Sequence, residues 1–172
     1  VMILALYISL DVFAGGTNVF GKFYLYSMIG GFVVGLFAPK KGFYFLLFLT
    51  AYLDYFKRLM ILDAGIRQFD LYYVLGIAPA TMAGIMVSVL YQLAVGAVER
   101  RPREGWLAVA TLMLMGGVGA MGLLSSGGGF RALGDIVNSV AYMSLVFVVP
   151  ALFRTPEDLR AVFKTSILIF IP

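Results

Sequence analysis

Long apolar runs, separated by short stretches rich in glycine or charge, constrain this chain more than any other feature. They cover residues 1–13, 23–38, 42–62, 71–98, 106–124 and 136–153, and a seventh begins at 165. A helix needs about 20 mostly apolar residues to cross roughly 30 Å of hydrocarbon, and several runs reach that length. The pattern predicts an all-α, polytopic transmembrane helical bundle of about six to seven spanning helices.

Composition points the same way. The 172 residues are 62% hydrophobic and only 13% charged, whereas soluble domains average about 25% charged residues. Residues 1–172 are therefore expected to form a single transmembrane helical domain. Because the chain begins and ends inside apolar runs, we expect it to be a fragment of a longer protein.

The missing residue types exclude several kinds of chemistry. The sequence has no cysteine and no histidine, which excludes thiol catalysis, disulfides, Cys/His zinc sites and histidine ligation of haem within this chain. We expect no metal and no cofactor. The net charge is +4, but the basic residues cluster between apolar runs, which is a topology signal and not a nucleic-acid-binding pattern.

Small residues and one capping motif predict local packing. Glycines at 30, 31 and 35 in the second run, and the row Gly76, Ala80 and Gly84 in the fourth, are predicted to let helices approach closely. Pro79 permits a kink in the fourth helix. Residues 155–158, Thr-Pro-Glu-Asp, predict a helix start with Thr155 as the N-cap.

The stretch 52–70 concentrates charge in an otherwise apolar chain. It holds Asp54, Lys57, Arg58, Asp63, Arg67 and Asp70. Asp54 and Arg58 are four residues apart, so a helix places them on one face as a structural charge pair, and the same spacing predicts a pair of Arg131 and Asp135. Charges at the edge of the hydrocarbon must pair, reach the headgroups or line a wet cavity, and functional use is the first hypothesis.

The distribution of Lys and Arg between the two sides predicts the orientation. Eight lie at 39–41, 99–104 and 154–164, and five lie at 14–22, 57–70 and 125–135. Since cytoplasmic loops are enriched in Lys and Arg, the first set is predicted to be cytoplasmic. Lys57, Arg58 and Arg67 then lie outside, against the bias, which makes them candidates for binding an anionic substrate. The alternative is that they only contact lipid headgroups.

Three features carry a resemblance to a known family. Short loops alternate with glycine-rich helices, the outer segment 56–79 reads FKRLMILDAGIRQFDLYYVLGIAP, and residues 150–170 read PALFRTPEDLRAVFKTSILIF. From Asp54 to its end, the chain resembles bacterial O-antigen ligases and polymerases, the Wzy/WaaL superfamily. The resemblance covers the N-terminal half of such proteins.

The resemblance implies the membrane half of a GT-C-like glycosyltransferase in the bacterial inner (cytoplasmic) membrane. Such enzymes join a polyprenyl-diphosphate-linked glycan to lipid A core or to a growing polymer, on the outer side and without a metal. Their key arginines and histidine lie in a large outer loop of the second half. This chain has no such loop, so we expect it to be inactive alone and assign no catalytic residue.

Two other functions stay open at this point. The glycine-rich helices would equally suit a non-catalytic subunit or scaffold of a larger membrane complex. A transporter half is a third hypothesis, and it would require polar residues at the centre of the bilayer and a broken helix.

Overall fold

A computed structural model describes residues 19–63, 68–96, 102–125, 139 and 141–170. Apart from short connections these residues are α-helical, and none of them lies in a strand. The helices are α1 (Val19–Phe37), α2 (Pro39–Asp63), α3 (Gln68–Ala94), α4 (Pro102–Ser125), α5 (Leu145–Leu152) and α6 (Pro156–Phe170). The predicted all-α class is confirmed for this part of the chain.

The helix pair α1 and α3 makes the most extensive contact among the described elements. Glycine makes this contact possible. A Cβ on Gly35 would lie 2.5 Å from the carbonyl oxygen of Thr81 and 2.9 Å from the backbone nitrogen of Ile85, and a Cβ on Gly84 would collide with the carbonyl oxygen of Phe32. The two backbones therefore touch directly, as the small-residue rows predict.

Helix α2 completes a three-helix unit with α1 and α3. Only Ala38 separates α1 from α2, and Gly42 lies against Gly35, where a Cβ would be 2.8 Å from the Gly35 Cα. Gly31 faces Phe45 of α2 as well as α3. The pairing of 31 with 45 and of 35 with 42 makes α1 and α2 antiparallel, whereas α1 and α3 run in parallel.

The apolar core lies where this unit meets α5. Phe43 and Leu46 of α2, Ile85 of α3 and Val148 of α5 are buried in one cluster, which continues to Phe153 beyond α5. Residues 141–143 are also helical, and a turn at Ser144 separates them from α5. The core therefore lies near the end of the bundle where α1 ends and α2 begins.

Helix α6 runs beside α2 in the same direction. Lys40 Nζ lies 2.8 Å from Asp158 Oδ1, and the Tyr52 hydroxyl donates to the carbonyl oxygen of Ile169 at 3.3 Å. A helix rises ~1.5 Å per residue, so the stretch of α6 from Asp158 to Ile169 follows α2 for about 17 Å. The predicted helix start at 155–158 and the seventh run that begins at 165 thus belong to one continuous helix.

Several helix bounds differ from the sequence prediction. The expected loop 39–41 is the first turn of α2, because Pro39 takes the first helical position, where a missing N–H is tolerated. In the same way Pro102 opens α4, so Arg103 and Glu104 belong to a helix and not to a loop. Helix α3 continues through Pro79 without a break.

By length and composition, one helix among the described residues, Tyr73–Ala94, is suited to cross a membrane. The segments Gly21–Phe37, Val109–Gly119 and Ala141–Leu152 are apolar but shorter. A buried core helix of a soluble protein would meet the same criteria, so this finding supports a spanning helix without establishing a multi-pass bundle. The predicted first run, residues 1–13, lies outside the described residues.

We predict opposite effects for the same substitution at two glycines of α1. Gly35→Ala places a Cβ against the backbone of α3 and should lower the free energy of unfolding by about 1–3 kcal/mol. Gly30 has no atom within 4 Å of its hypothetical Cβ, so Gly30→Ala should be neutral or stabilising by up to ~1 kcal/mol through helix propensity. Titration of both variants with sodium dodecyl sulfate in mixed micelles tests this, and equal effects would contradict the contact.

Candidate functional site

The charges predicted to bind substrate belong to the far end of α2. Because α2 continues to Asp63, Lys57 and Arg58 lie on its last two turns. The structure describes the backbone but not the side chains of Asp54, Lys57 and Arg58, so their predicted pairing and binding roles stay predictions. Arg67, the third predicted substrate-binding residue, lies outside the described residues, as does the predicted pair Arg131 and Asp135.

Helix α2 carries basic residues near both of its ends. Lys40 and Lys41 lie in its first turn, and Lys57 and Arg58 follow roughly five turns later. At ~1.5 Å per residue, the Cα atoms of Lys40 and Lys57 are about 25 Å apart along one helix axis. That separation approaches the ~30 Å thickness of the hydrocarbon core of a bilayer.

The first turns of α2 and α6 form a charged corner that the structure describes in full. Asp158 accepts a hydrogen bond from Lys40, and its backbone N–H donates to the Thr155 hydroxyl at 3.1 Å. Thr155 thus caps α6, as the sequence predicts, and Pro156 begins it. The cap orients the first turn of α6 so that Asp158 faces α2.

An aromatic side chain lies beneath this ion pair. Phe153 is almost fully buried, and its ring centroid lies 4.9 Å from that of Phe43 and 6.0 Å from that of Tyr44, in edge-to-face geometry. The Lys40 ammonium lies 5.8 Å from the Phe153 ring centroid, within the range of a cation–π interaction. Lys40 is therefore held by a carboxylate and an aromatic ring together.

The ion pair changes the acidity of the carboxyl group. The hydrogen bond from Lys40, and further hydrogen bonds with Thr155, lower the pKa of Asp158 below its ordinary value of 3.8 against an opposing desolvation effect. Asp158 consequently stays ionised at neutral pH and serves as a fixed counter-charge, which makes it unsuitable as a general acid.

Four further charged side chains near this corner are exposed. Lys41, Arg160 and Lys164 present their side chains to the surroundings, as does the acidic Glu157. Arg154 is half-buried and donates from Nε to the carbonyl oxygen of Ala151 at 2.9 Å, near the end of α5. The exposed groups suit binding of an anion, and no cluster of metal-ligating side chains occurs among the described residues.

The Lys40–Asp158 pair was not predicted from the sequence. Its partners are 118 positions apart, and no local pattern relates them. The sequence offers only an indirect signal: the distribution of Lys and Arg predicts that residues 39–41 and 154–164 lie on the same side of the membrane. The contact confirms that these two segments share one end of the bundle.

No protein-family model, curated protein or solved structure matches this chain. The resemblance to O-antigen ligases and polymerases therefore stays a prediction.

We predict that Asp158→Asn lowers the thermal unfolding midpoint at pH 7. Since the folded-state pKa is depressed, the stabilisation is present above the ordinary value of 3.8 and is lost as the pH falls through the lowered pKa. The difference between the variant and the wild type should therefore shrink below about pH 4.

The control is Glu157→Gln, which removes a negative charge from an exposed side chain of the same turn. Unfolding curves in detergent over a pH series, followed by near-ultraviolet circular dichroism, would check this. An Asp158→Asn defect that is equally large at every pH would contradict the ion-pair explanation.

Proposed function

We propose that this chain is the N-terminal membrane half of a bacterial surface-polysaccharide polymerase or ligase. In this proposal it is a multi-pass domain of the inner membrane, with a GT-C-like arrangement of helices. Its substrate is a polyprenyl-diphosphate-linked glycan held at the outer side. The proposal has two parts, membrane placement and glycan-donor binding, which rest on different observations.

The observation that carries the membrane placement is the wide exposure of large apolar side chains. Each of the helices α1–α6 exposes at least one large apolar side chain. The most exposed include Phe37 (81%), Tyr91 (66%), Trp106 (78%), Met113 (73%) and Phe163 (69%). Exposure of large apolar side chains on all six helices favours contact with lipid, because soluble monomers rarely expose large apolar patches to water. A lipid solvent accounts for it, because apolar side chains carry no penalty there.

Two of the buried hydroxyl groups among the described residues are consistent with this solvent. Thr81 donates to the carbonyl oxygen of Ile77 at 2.8 Å, and Ser144 donates to that of Ala141 at 2.6 Å. Both hydroxyls are thus satisfied within their own stretch of chain. Polar groups in hydrocarbon need such internal partners, since water is not available to them.

The glycan-donor part rests on the resemblance and on the charges at the far end of α2. Arg58 and Arg67 are the proposed ligands of the donor diphosphate, with Lys57 as an additional cation. Guanidinium groups match phosphate oxygens bidentately. Without a metal, such cations would also offset the charge that develops on the leaving diphosphate.

One observation favours a second candidate, a non-catalytic subunit or scaffold. Gly116 and Gly117 of α4 have no atom within 4 Å of a hypothetical Cβ, and exposed Met113, Leu114 and Met121 surround them. Open glycines among apolar side chains suit docking of another helix. A transporter half is less well supported, because α3 is unbroken and the buried polar side chains described are serines and threonines.

Membrane placement can be tested by cysteine labelling, because the chain contains no cysteine. We expect Gly65→Cys to react with a membrane-impermeant maleimide in intact spheroplasts, since the proposal puts this residue outside. Lys41→Cys, at the other end of α2, should react only after permeabilisation. Labelling of Gly65→Cys solely from the cytosol would reject the orientation and, with it, an external cation site.

Donor binding can be tested in the full-length protein by replacing the outer arginines. Arg58→Ala and Arg67→Ala should each reduce polymer or lipopolysaccharide formation about tenfold or more, as expected for loss of one charge-assisted hydrogen-bonded group. Arg103→Ala, in the first turn of α4 and on the predicted cytoplasmic side, is the control and should leave glycan ladders unchanged. Normal ladders in both arginine variants would favour the scaffold function.

A further inference from the structure

Helix α6 presents an apolar strip and a basic strip side by side on its exposed surface. Leu159, Phe163 and Ile167 recur every four residues and are 42%, 69% and 58% exposed. Arg160 and Lys164, also four apart, are exposed one position further along the chain. Residues four apart share one helix face, and a step of one residue turns by about 100°. The two strips are therefore adjacent.

The opposite side of α6 is already occupied by the bundle. Asp158 pairs with Lys40, Val162 packs against the core, and the carbonyl oxygen of Ile169 accepts the Tyr52 hydroxyl. The exposed strips consequently face away from α2. Their surroundings, whether lipid or water, are in contact with both the apolar and the basic side chains.

The charge balance of this surface is positive. Asp158 is neutralised by Lys40 at 2.8 Å, so the acidic group that remains exposed in the first turn of α6 is Glu157. The exposed cations outnumber it: they are Arg160 and Lys164 on α6 and Lys41 in the first turn of α2. An anion is therefore attracted to this end of α6.

We propose that this surface, the α6 strips together with Lys41, binds anionic phospholipids of the leaflet at the Lys40 end. Phosphate groups would engage Arg160, Lys164 and Lys41, and acyl chains would lie against Leu159, Phe163 and Ile167. Helical side chains tilt toward the N-terminus, which directs the long Arg160 and Lys164 side chains toward the charged corner and so toward the headgroups.

An anionic leaflet fits this surface better than a soluble anion does. A soluble anion would leave the large apolar strip without a partner, whereas an amphipathic lipid supplies both a phosphate and hydrocarbon. The inference rests on the membrane placement proposed above but not on the glycan chemistry. It concerns the opposite end of α2 from Arg58, so failure of donor binding would leave it unaffected.

The test measures lipid selectivity of the purified full chain. The protein in detergent micelles is titrated with phosphatidylglycerol or with phosphatidylcholine of the same acyl chains, and bound lipids are counted by native mass spectrometry. We expect the wild type to prefer phosphatidylglycerol. In the double variant R160Q/K164Q, the ratio of the affinities for phosphatidylglycerol and phosphatidylcholine should fall about 25-fold, or roughly fivefold per basic side chain.

Two controls separate this surface from general charge effects. Lys22→Gln removes one positive charge from α1, near the opposite end of the bundle, and should leave the preference unchanged. Phe163→Ser should weaken binding of both lipids equally, because it removes acyl-chain contact and not charge. Added salt should reduce the preference of the wild type, since exposed charges are screened.

Three results would overturn the proposal. The first is equal binding of the two lipids by the wild type, and the second is an unchanged preference in R160Q/K164Q. The third is a loss of about fivefold in Lys22→Gln, the loss expected per basic side chain, which would show that net charge and not this surface selects the lipid. Extraction of the protein from membranes by alkaline carbonate would instead reject the membrane placement itself.

Discussion

Direct backbone contact between α1 and α3 is the interaction on which the rest of the described structure depends. At Gly35 and Gly84 the helices approach so closely that a single methyl group would meet backbone atoms of the neighbour. In lipid there is little hydrophobic force between helices, so close van der Waals packing over small residues is a principal source of association. Gly42, near the start of α2, packs at the same place, against Gly35 of α1 and Ile85 of α3.

The second constraint is the ion pair at the charged corner, in a chain that has few charged residues. The ion pair of Lys40 and Asp158 joins the α1–α2 corner to the first turn of α6, and Phe153 beneath it joins the same corner to the core. Its carboxylate remains charged because hydrogen bonds from Lys40 and Thr155 favour the ionised form. The pair therefore aligns α6 with α2 and leaves the other exposed cations of this end available for external anions.

The two basic ends of α2 have different proposed roles. Lys57 and Arg58 are proposed to bind a lipid-linked diphosphate outside, whereas Lys41, with Arg160 and Lys164 of α6, is proposed to contact the opposite leaflet. The same physical chemistry, cations at the edge of hydrocarbon, underlies both. On α6 an apolar strip accompanies the cations.

The sequence by itself determined the features that depend on local patterns. Apolar runs predicted an all-α chain, the Thr-Pro-Glu-Asp motif predicted the capped start of α6, and small-residue rows predicted close helix contacts, because each depends on residues within a few turns. Local prediction was least accurate at Pro39, where a helix begins without the expected loop.

Only the tertiary structure decided which glycine touches which helix and which charges meet. Gly30 and Gly35 are both glycines of α1, yet Gly30 faces open space and Gly35 faces the backbone of α3. Lys40 and Asp158 are 118 positions apart, so no local sequence pattern predicts that they pair. Both outcomes depend on the relative rotation and position of whole helices, which side-chain packing over the entire interface sets and no single segment encodes.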